Sequence, residues 1–170
     1  MIAKAKRLLF ALLRSLCTAY AKRKVAAYGD GFTVNYPCLF TVDTTIGKHC
    51  HFNGMKVRGS GHLIIGDYFH SGEYILVITQ NHNYKNATLL PYDHGNVARD
   101  VRVGAYVWVG SRVILLPGAV LGDGCIVQAG AVVSGSFPAN AIIGGNPASI
   151  IRYRDAEHVN RLVAEGRFLL

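Results

Sequence analysis

Acidic residues are scarce in this chain. Ten Asp and Glu stand against 18 Lys and Arg, a formal charge of +8 over 170 residues. Charged residues of either sign make up only 16%, and 51% are hydrophobic, which excludes a disordered, solvating chain. Long apolar runs are missing too. None approaches the ~18–20 residues that span a bilayer, so no transmembrane helix is expected. The four cysteines, Cys17, Cys38, Cys50 and Cys125, include no Cys-x-x-Cys pair, which argues against a zinc site. They imply no disulfides and a reducing compartment. The length suggests one domain with a real core.

The first 29 residues lack acid entirely. They carry Lys4, Lys6, Arg7, Arg14, Lys22, Arg23 and Lys24, or +7, whereas residues 30–170 hold 11 basic and 10 acidic residues, or +1. The basic excess belongs to one segment, and the body does not read as a nucleic-acid binder. Residues 2–28 contain no Pro or Gly and predict a helix, with Leu9, Leu12, Leu13, Leu16 and Tyr20 at helical spacing. A signal peptide would need a longer apolar core than residues 8–13, which Arg14 ends. The first expectation is that the apolar face packs on the domain or a neighbouring subunit. The second is that the helix lies on an anionic membrane surface.

A six-residue repeat organises the body. Stepping by six from Val97 gives Val97, Val103, Val109, Leu115, Leu121, Val127 and Val133. The fourth-following residues, Val101, Val107, Val113, Ala119, Cys125 and Ala131, are small or medium and apolar. The same register runs through Val34, Phe40, Ile46 and Phe52, then Ile65, Ser71 and Val77, with loops predicted at 55–62 and between His82 and Asn96. A helix does not fit a period of six rich in Gly and Val. Short strands turning at regular corners do, and stacked coils bury a continuous column. The expected fold is therefore a parallel β-helix. Cys38, Cys50 and Cys125 take inward slots and fill the core, while alternation points His49 and His51 outward.

Three segments resemble the hexapeptide-repeat acyltransferase family, in particular its sugar O-acetyltransferase branch (maltose, galactoside and polysaccharide acetyltransferases). They are Tyr106-Val107-Trp108-Val109-Gly110-Ser111, the closing turn Phe137 to Ala148 followed by Arg152-Tyr153-Arg154, and Thr79-Gln80-Asn81-His82 ahead of a loop. The resemblance covers residues 30–154. It implies a left-handed β-helix, homotrimers with active sites between subunits, and acetyl-CoA as co-substrate with no metal. It places His82 as general base, a role imidazole suits near neutral pH. It assigns the oxyanion donor to the backbone N–H at Ser111 and sets Trp108 beside the site as a substrate contact, the alternative being an exposed anchor for subunit packing. It lines the pantetheine groove with Ala129 and Gly130, and makes Arg152 and Arg154 candidates for the CoA phosphates. The family's Lys near Ser134 is missing here. By chemistry, Glu73 is a candidate orienter of His82, although nine residues do not obviously bring them together. Asn53, Asn81 and Tyr84 are candidate sugar contacts. His70 reads as structural or substrate-facing.

The organisation expected is a basic helix at 1–28, a left-handed β-helix at 29–154 with an acceptor-covering loop at 83–95, and a C-terminal helix at 155–170. The expected function is acetyl transfer from acetyl-CoA to a carbohydrate hydroxyl in surface polysaccharide or lipopolysaccharide synthesis. It is placed in the cytoplasm, with the inner membrane face as the second placement. The alternatives are N-acetylation of a nucleotide-linked amino sugar, O-acetylation of serine or an antibiotic, and a non-catalytic β-helix scaffold.

Overall fold

The computed structural model describes residues 2–170. Most of its strands are two or three residues long. They pair in parallel with the coil before and after. Trp108–Val109 lies between His70–Ile78 and Ile126–Val127, and Ile126–Val127 pairs in turn with Ala141–Gly145. A second ladder runs through Leu63–Ile65, Val101–Val103, Val120–Leu121 and Ser136–Phe137. Strands this short cannot satisfy their own backbone. The neighbouring coils do so, as where Gly104 N–H donates to Leu121 C=O at 2.8 Å.

The inward columns are those the repeat specifies. Val103, Val109, Leu115, Leu121, Val127 and Val133 are buried, as are Val101, Val107, Val113, Ala119, Cys125 and Ala131. The early coils use aromatics instead, with Phe32, Phe40, Phe52 and Phe69 packed against one another. Corners demand close approach. A Cβ on Gly66 would sit 2.7 Å from the Ala105 nitrogen, which is why glycine recurs there. Burial pushes the Cys38 and Cys50 thiols up to about 11 and raises that of Cys125, so their thiolates are disfavoured at neutral pH.

Four expectations are corrected. Val97 is 43% exposed and pairs with Asn81 in an antiparallel hairpin, so the regular run begins at Val101. The loop expected at 55–62 is mostly strand. His51–Arg58 continues with Met55 and Val57 buried, because a register shift after His51 absorbs an extra residue. Only residues 59–62 are irregular. The N-terminal helix, α1, spans Ile2–Lys22 rather than 2–28. The chain then enters the first coil, where Ala27–Tyr28 pairs with Thr44–Ile46 and exchanges helical hydrogen bonds for ladder ones. The C-terminal helix, α2, spans only Ala156–Ala164. The Asp155 carboxylate caps it by accepting from the His158 N–H at 3.0 Å, Val159 anchors it, and residues beyond it run on to stack Phe168 on Tyr68.

Candidate active site

The regular coils are interrupted once by a long excursion. Ile65 pairs directly with Val103, and the chain between leaves the solenoid after Thr79 and returns at Arg99, whose N–H donates to the Thr79 C=O at 2.8 Å. Strands Gln80–His82 and Asn96–Ala98 form the stem of this hairpin. His82 ends the first strand, exposed to solvent, with its ring stacked on Tyr92 at 3.9 Å and 7°. Asp93 orders the loop. Its carboxylate accepts from Gly95 N–H at 2.8 Å, Asn83 Nδ2 at 2.9 Å and Thr88 N–H at 3.2 Å. The Gly95 N–H above all holds that carboxyl below the usual range.

His82 lines a groove of ≈ 400 Å³ with Asn81, Tyr84, Arg99, Pro117 and Ser134. Three sequence candidates, His82, Asn81 and Tyr84, therefore line one groove. The others do not join them within one chain. Asn53 and Glu73 line a second groove with Tyr36, Lys56 and Tyr74. Asn53 is fixed there, accepting from Asn35 Nδ2 at 2.7 Å and donating to the Ser71 C=O at 2.6 Å. Glu73 thus lies away from His82, near the start of the strand His70–Ile78 on a different face of the solenoid, and the group packed on the His82 ring is Tyr92. Ser111 adjoins this second groove, since its Oγ accepts from the Glu73 N–H at 3.0 Å. Trp108 and Arg154 border a third groove with His70 and α2.

Ala129 and Gly130 are exposed one coil beyond Ser111, and Gly130 N–H donates to the Ser111 C=O at 2.9 Å. A Cβ on Gly130 would meet nothing, so glycine is required there by its φ of +77° and not by close approach. Arg152 is exposed, while Arg154 is half-buried and donates to the Gly124 C=O at 3.1 Å. Sequence reasoning missed Tyr36, Lys56 and Tyr74. For the two tyrosines the available signal was an aromatic residue outside the hexad columns.

His70 belongs to an outward column with Thr33, His51 and Trp108. His51 Nδ1 is hydrogen-bonded to Thr33 Oγ1, and its ring lies 4.8 Å from that of His70. The Nε2 atoms of both histidines are buried without a partner among the described residues. Burial first, then His70, Arg14 and His49, holds His51 below the ordinary imidazole range. A lowered folded value means that the stability contribution is present above the unfolded value of ~6.5 and is lost as pH falls through the folded one. Thermal unfolding midpoints are expected to drop from pH 7.5 to pH 5, and His51→Gln is expected to flatten that dependence. An unchanged slope in the variant would assign it elsewhere.

The family described as bacterial transferase hexapeptide (six repeats) matches residues 100–135. The Escherichia coli protein named as lipopolysaccharide biosynthesis O-acetyl transferase WbbJ is 36% identical over 153 residues, covering 70% of this chain and 77% of that protein. The chain belongs to the hexapeptide-repeat acyltransferase family. A chloramphenicol acetyltransferase of Agrobacterium fabrum is 31% identical over 139 residues, 64% of this acyltransferase and 66% of that one. A solved galactoside acetyltransferase in complex with coenzyme A superposes with a TM-score of 0.71 at 22% identity, over 83% of this chain and 71% of that chain. That likeness is one of fold, the left-handed β-helix of hexapeptide repeats. In this acyltransferase the fold sets the His82 hairpin and the Ser111 corner on different parts of the solenoid surface.

Proposed function

We propose that the chain transfers an acetyl group from acetyl-CoA to a carbohydrate hydroxyl, in the synthesis of a surface polysaccharide or lipopolysaccharide. The observation that carries this reading is the His82 groove. An exposed imidazole, held on a stacked Tyr92, stands among Asn81, Tyr84 and Arg99. That mixture suits a polyhydroxylated acceptor. Similarity to WbbJ supports the choice of acceptor class.

His82 removes the hydroxyl proton as the oxygen attacks the thioester carbonyl. The tetrahedral oxyanion takes a backbone N–H at Ser111. The intermediate collapses, the C–S bond breaks, and the sulfur leaves with the proton returned by His82. Holding both substrates together contributes much of the rate. The buried cysteines, with their raised thiol values, offer no competing nucleophile. Because His82 and the Ser111 corner do not meet in one chain, the complete site lies between copies of a trimer. One copy supplies His82 and loop 83–95. The next supplies Ser111, Trp108, the Ala129–Gly130 corner and the exposed Arg152 for CoA phosphate, with Asn53 and Glu73 beside the acceptor. Sedimentation velocity is expected to give the mass of three chains.

The deciding experiment measures CoA-thiol release from acetyl-CoA with oligosaccharides, nucleotide-linked amino sugars, serine and chloramphenicol as acceptors. Release with an oligosaccharide is the expected result. Release only with an amino sugar or a small alcohol would move the acceptor class. No release with any acceptor, and no thermal shift with acetyl-CoA, would favour a scaffold.

A further inference from the structure

Helix α1 has two faces that face different surroundings. One rests on the solenoid. Ala21 is fully buried, and Cys17 packs against the core. Thr18 Oγ1 accepts from the Val34 N–H at 3.0 Å and donates to the Val34 C=O at 3.4 Å. Phe10 meets Tyr36 edge-on, with ring centroids 6.3 Å apart. The packing expected for the helix on its own domain is therefore made by this face. It is not made by the leucine face.

The leucines lie elsewhere. At 3.6 residues per turn, Leu8, Leu12, Leu16, Leu9, Tyr20 and Leu13 fall in that order around an arc of about 140°. All six are between 48% and 74% exposed. On the same helical wheel Lys6 borders one edge of the arc, and Lys4 and Lys22 border the other. Arg7 and Arg14 lie further round, and the helix has no acid in its first turn.

We propose that α1 docks this protein on an anionic bilayer surface, with the leucine arc in the headgroup–acyl boundary and the flanking lysines on lipid phosphates. Charge decides the occupant. Pairing this arc with the same arc of a second copy would bring two clusters of +7 together with no acid between them. The chain's 10 acids all lie outside α1, and no two are adjacent in sequence. An anionic bilayer neutralises the cluster and buries the leucines at once. Arg14 lies on the solenoid side of the helix, lining a groove with Thr18 and Phe32, and among the described residues no helix is long and apolar enough to cross a membrane. The docked helix also sits beside the groove of Asn53 and Glu73, since Phe10 touches Tyr36 on its rim.

The test uses the full chain and needs no acceptor. Co-sedimentation is measured with vesicles of phosphatidylglycerol and phosphatidylcholine in equal parts, and with phosphatidylcholine alone. Partitioning onto the anionic vesicles is expected to exceed that onto neutral ones at least tenfold, and to weaken in high salt. The Lys4→Glu, Lys6→Glu pair and the Leu9→Glu, Leu13→Glu pair are each expected to lower it at least tenfold. Circular dichroism and a cooperative melt check that the solenoid is intact in both. Equal partitioning onto both vesicles, or none, overturns the proposal. So does a Leu9→Glu, Leu13→Glu variant that changes oligomeric mass while vesicle binding stays as in the parent, since a second copy would then cover the arc.

Discussion

Replacing His82 with alanine is expected to lower kcat for acetyl transfer by about 10²–10⁴-fold, the range that a positioned general base contributes. A sugar hydroxyl is a weak nucleophile at neutral pH, and no other imidazole lines the groove that holds His82. The KM for acetyl-CoA is expected to stay within about twofold, because the groups proposed to hold CoA lie at the Ser111 and Ala129–Gly130 corners and at Arg152. Stability is expected to change by no more than about 0.5 kcal/mol, since His82 is exposed at the tip of a hairpin stem and its main contact is a solvent-facing Tyr92. The loss then reads as chemistry and not as unfolding. Steady-state thiol release over a range of both substrates separates the two parameters. A variant that keeps more than a tenth of the parent kcat would remove His82 from this role. A collapse of acetyl-CoA binding with kcat unchanged would move it to the cofactor side of the site.

The solenoid was legible because its period is chemical as well as geometric. An aliphatic residue every sixth position, with a small residue four further on, has few folded solutions, and those positions are buried from Val101 to Val133. The rule failed where backbone pairing overrode periodicity. Val97 is aliphatic and in step, yet the antiparallel pairing of Asn81 with Val97 lifts it into solvent. The end of α1 was invisible for a related reason. Residues 23–28 carry no Gly or Pro, and what stops the helix is a ladder partner, Thr44–Ile46, that lies far away in sequence. The candidate site was half legible. His82, Asn81 and Tyr84 are neighbours in sequence and remain so in space. Glu73 shows the limit. Residues nine apart on a solenoid lie on different faces, and only the completed coil assigns Glu73 to the Tyr36 groove. Helix α1 carries the same lesson in charge. Its leucines were readable as a stripe, but their orientation away from the solenoid was set by Ala21, Cys17 and Thr18 on the opposite side.

Truncating Phe52 to alanine is expected to cost about 3–5 kcal/mol, the largest stability loss of any single substitution considered for this chain. The early coils replace the usual aliphatic column with rings, and Phe52 is their hub. It is fully buried, with centroids 5.5 Å from Phe32, 5.3 Å from Phe40 and 5.2 Å from Phe69. Two of those contacts are edge-on, at 86° and 82°, so removing the ring loses both its burial and its aromatic pairing. Collapse into the space is hindered. Val34 and His51 flank the site on strands pinned by ladder bonds, including Asn35 N–H to the Phe52 C=O at 2.8 Å. A domain has only ~5–15 kcal/mol in total, so a large fraction of the stability is at stake. Denaturant midpoints at constant slope measure the loss, with Leu90→Ala as the control, since Leu90 is 97% exposed and is expected to change stability by no more than about 0.5 kcal/mol. Because each coil contacts mainly its neighbours, the damage should be regional. Amide exchange is expected to accelerate most in Thr33–Val34, Thr44–Ile46 and His51–Arg58, and least in Ile126–Val127 and Val132–Val133. A cost below about 1 kcal/mol would mean that the first coils close over the cavity. Uniform acceleration along all coils would mean that the solenoid unfolds as one unit, with the aromatic hub holding its far end as firmly as its near one.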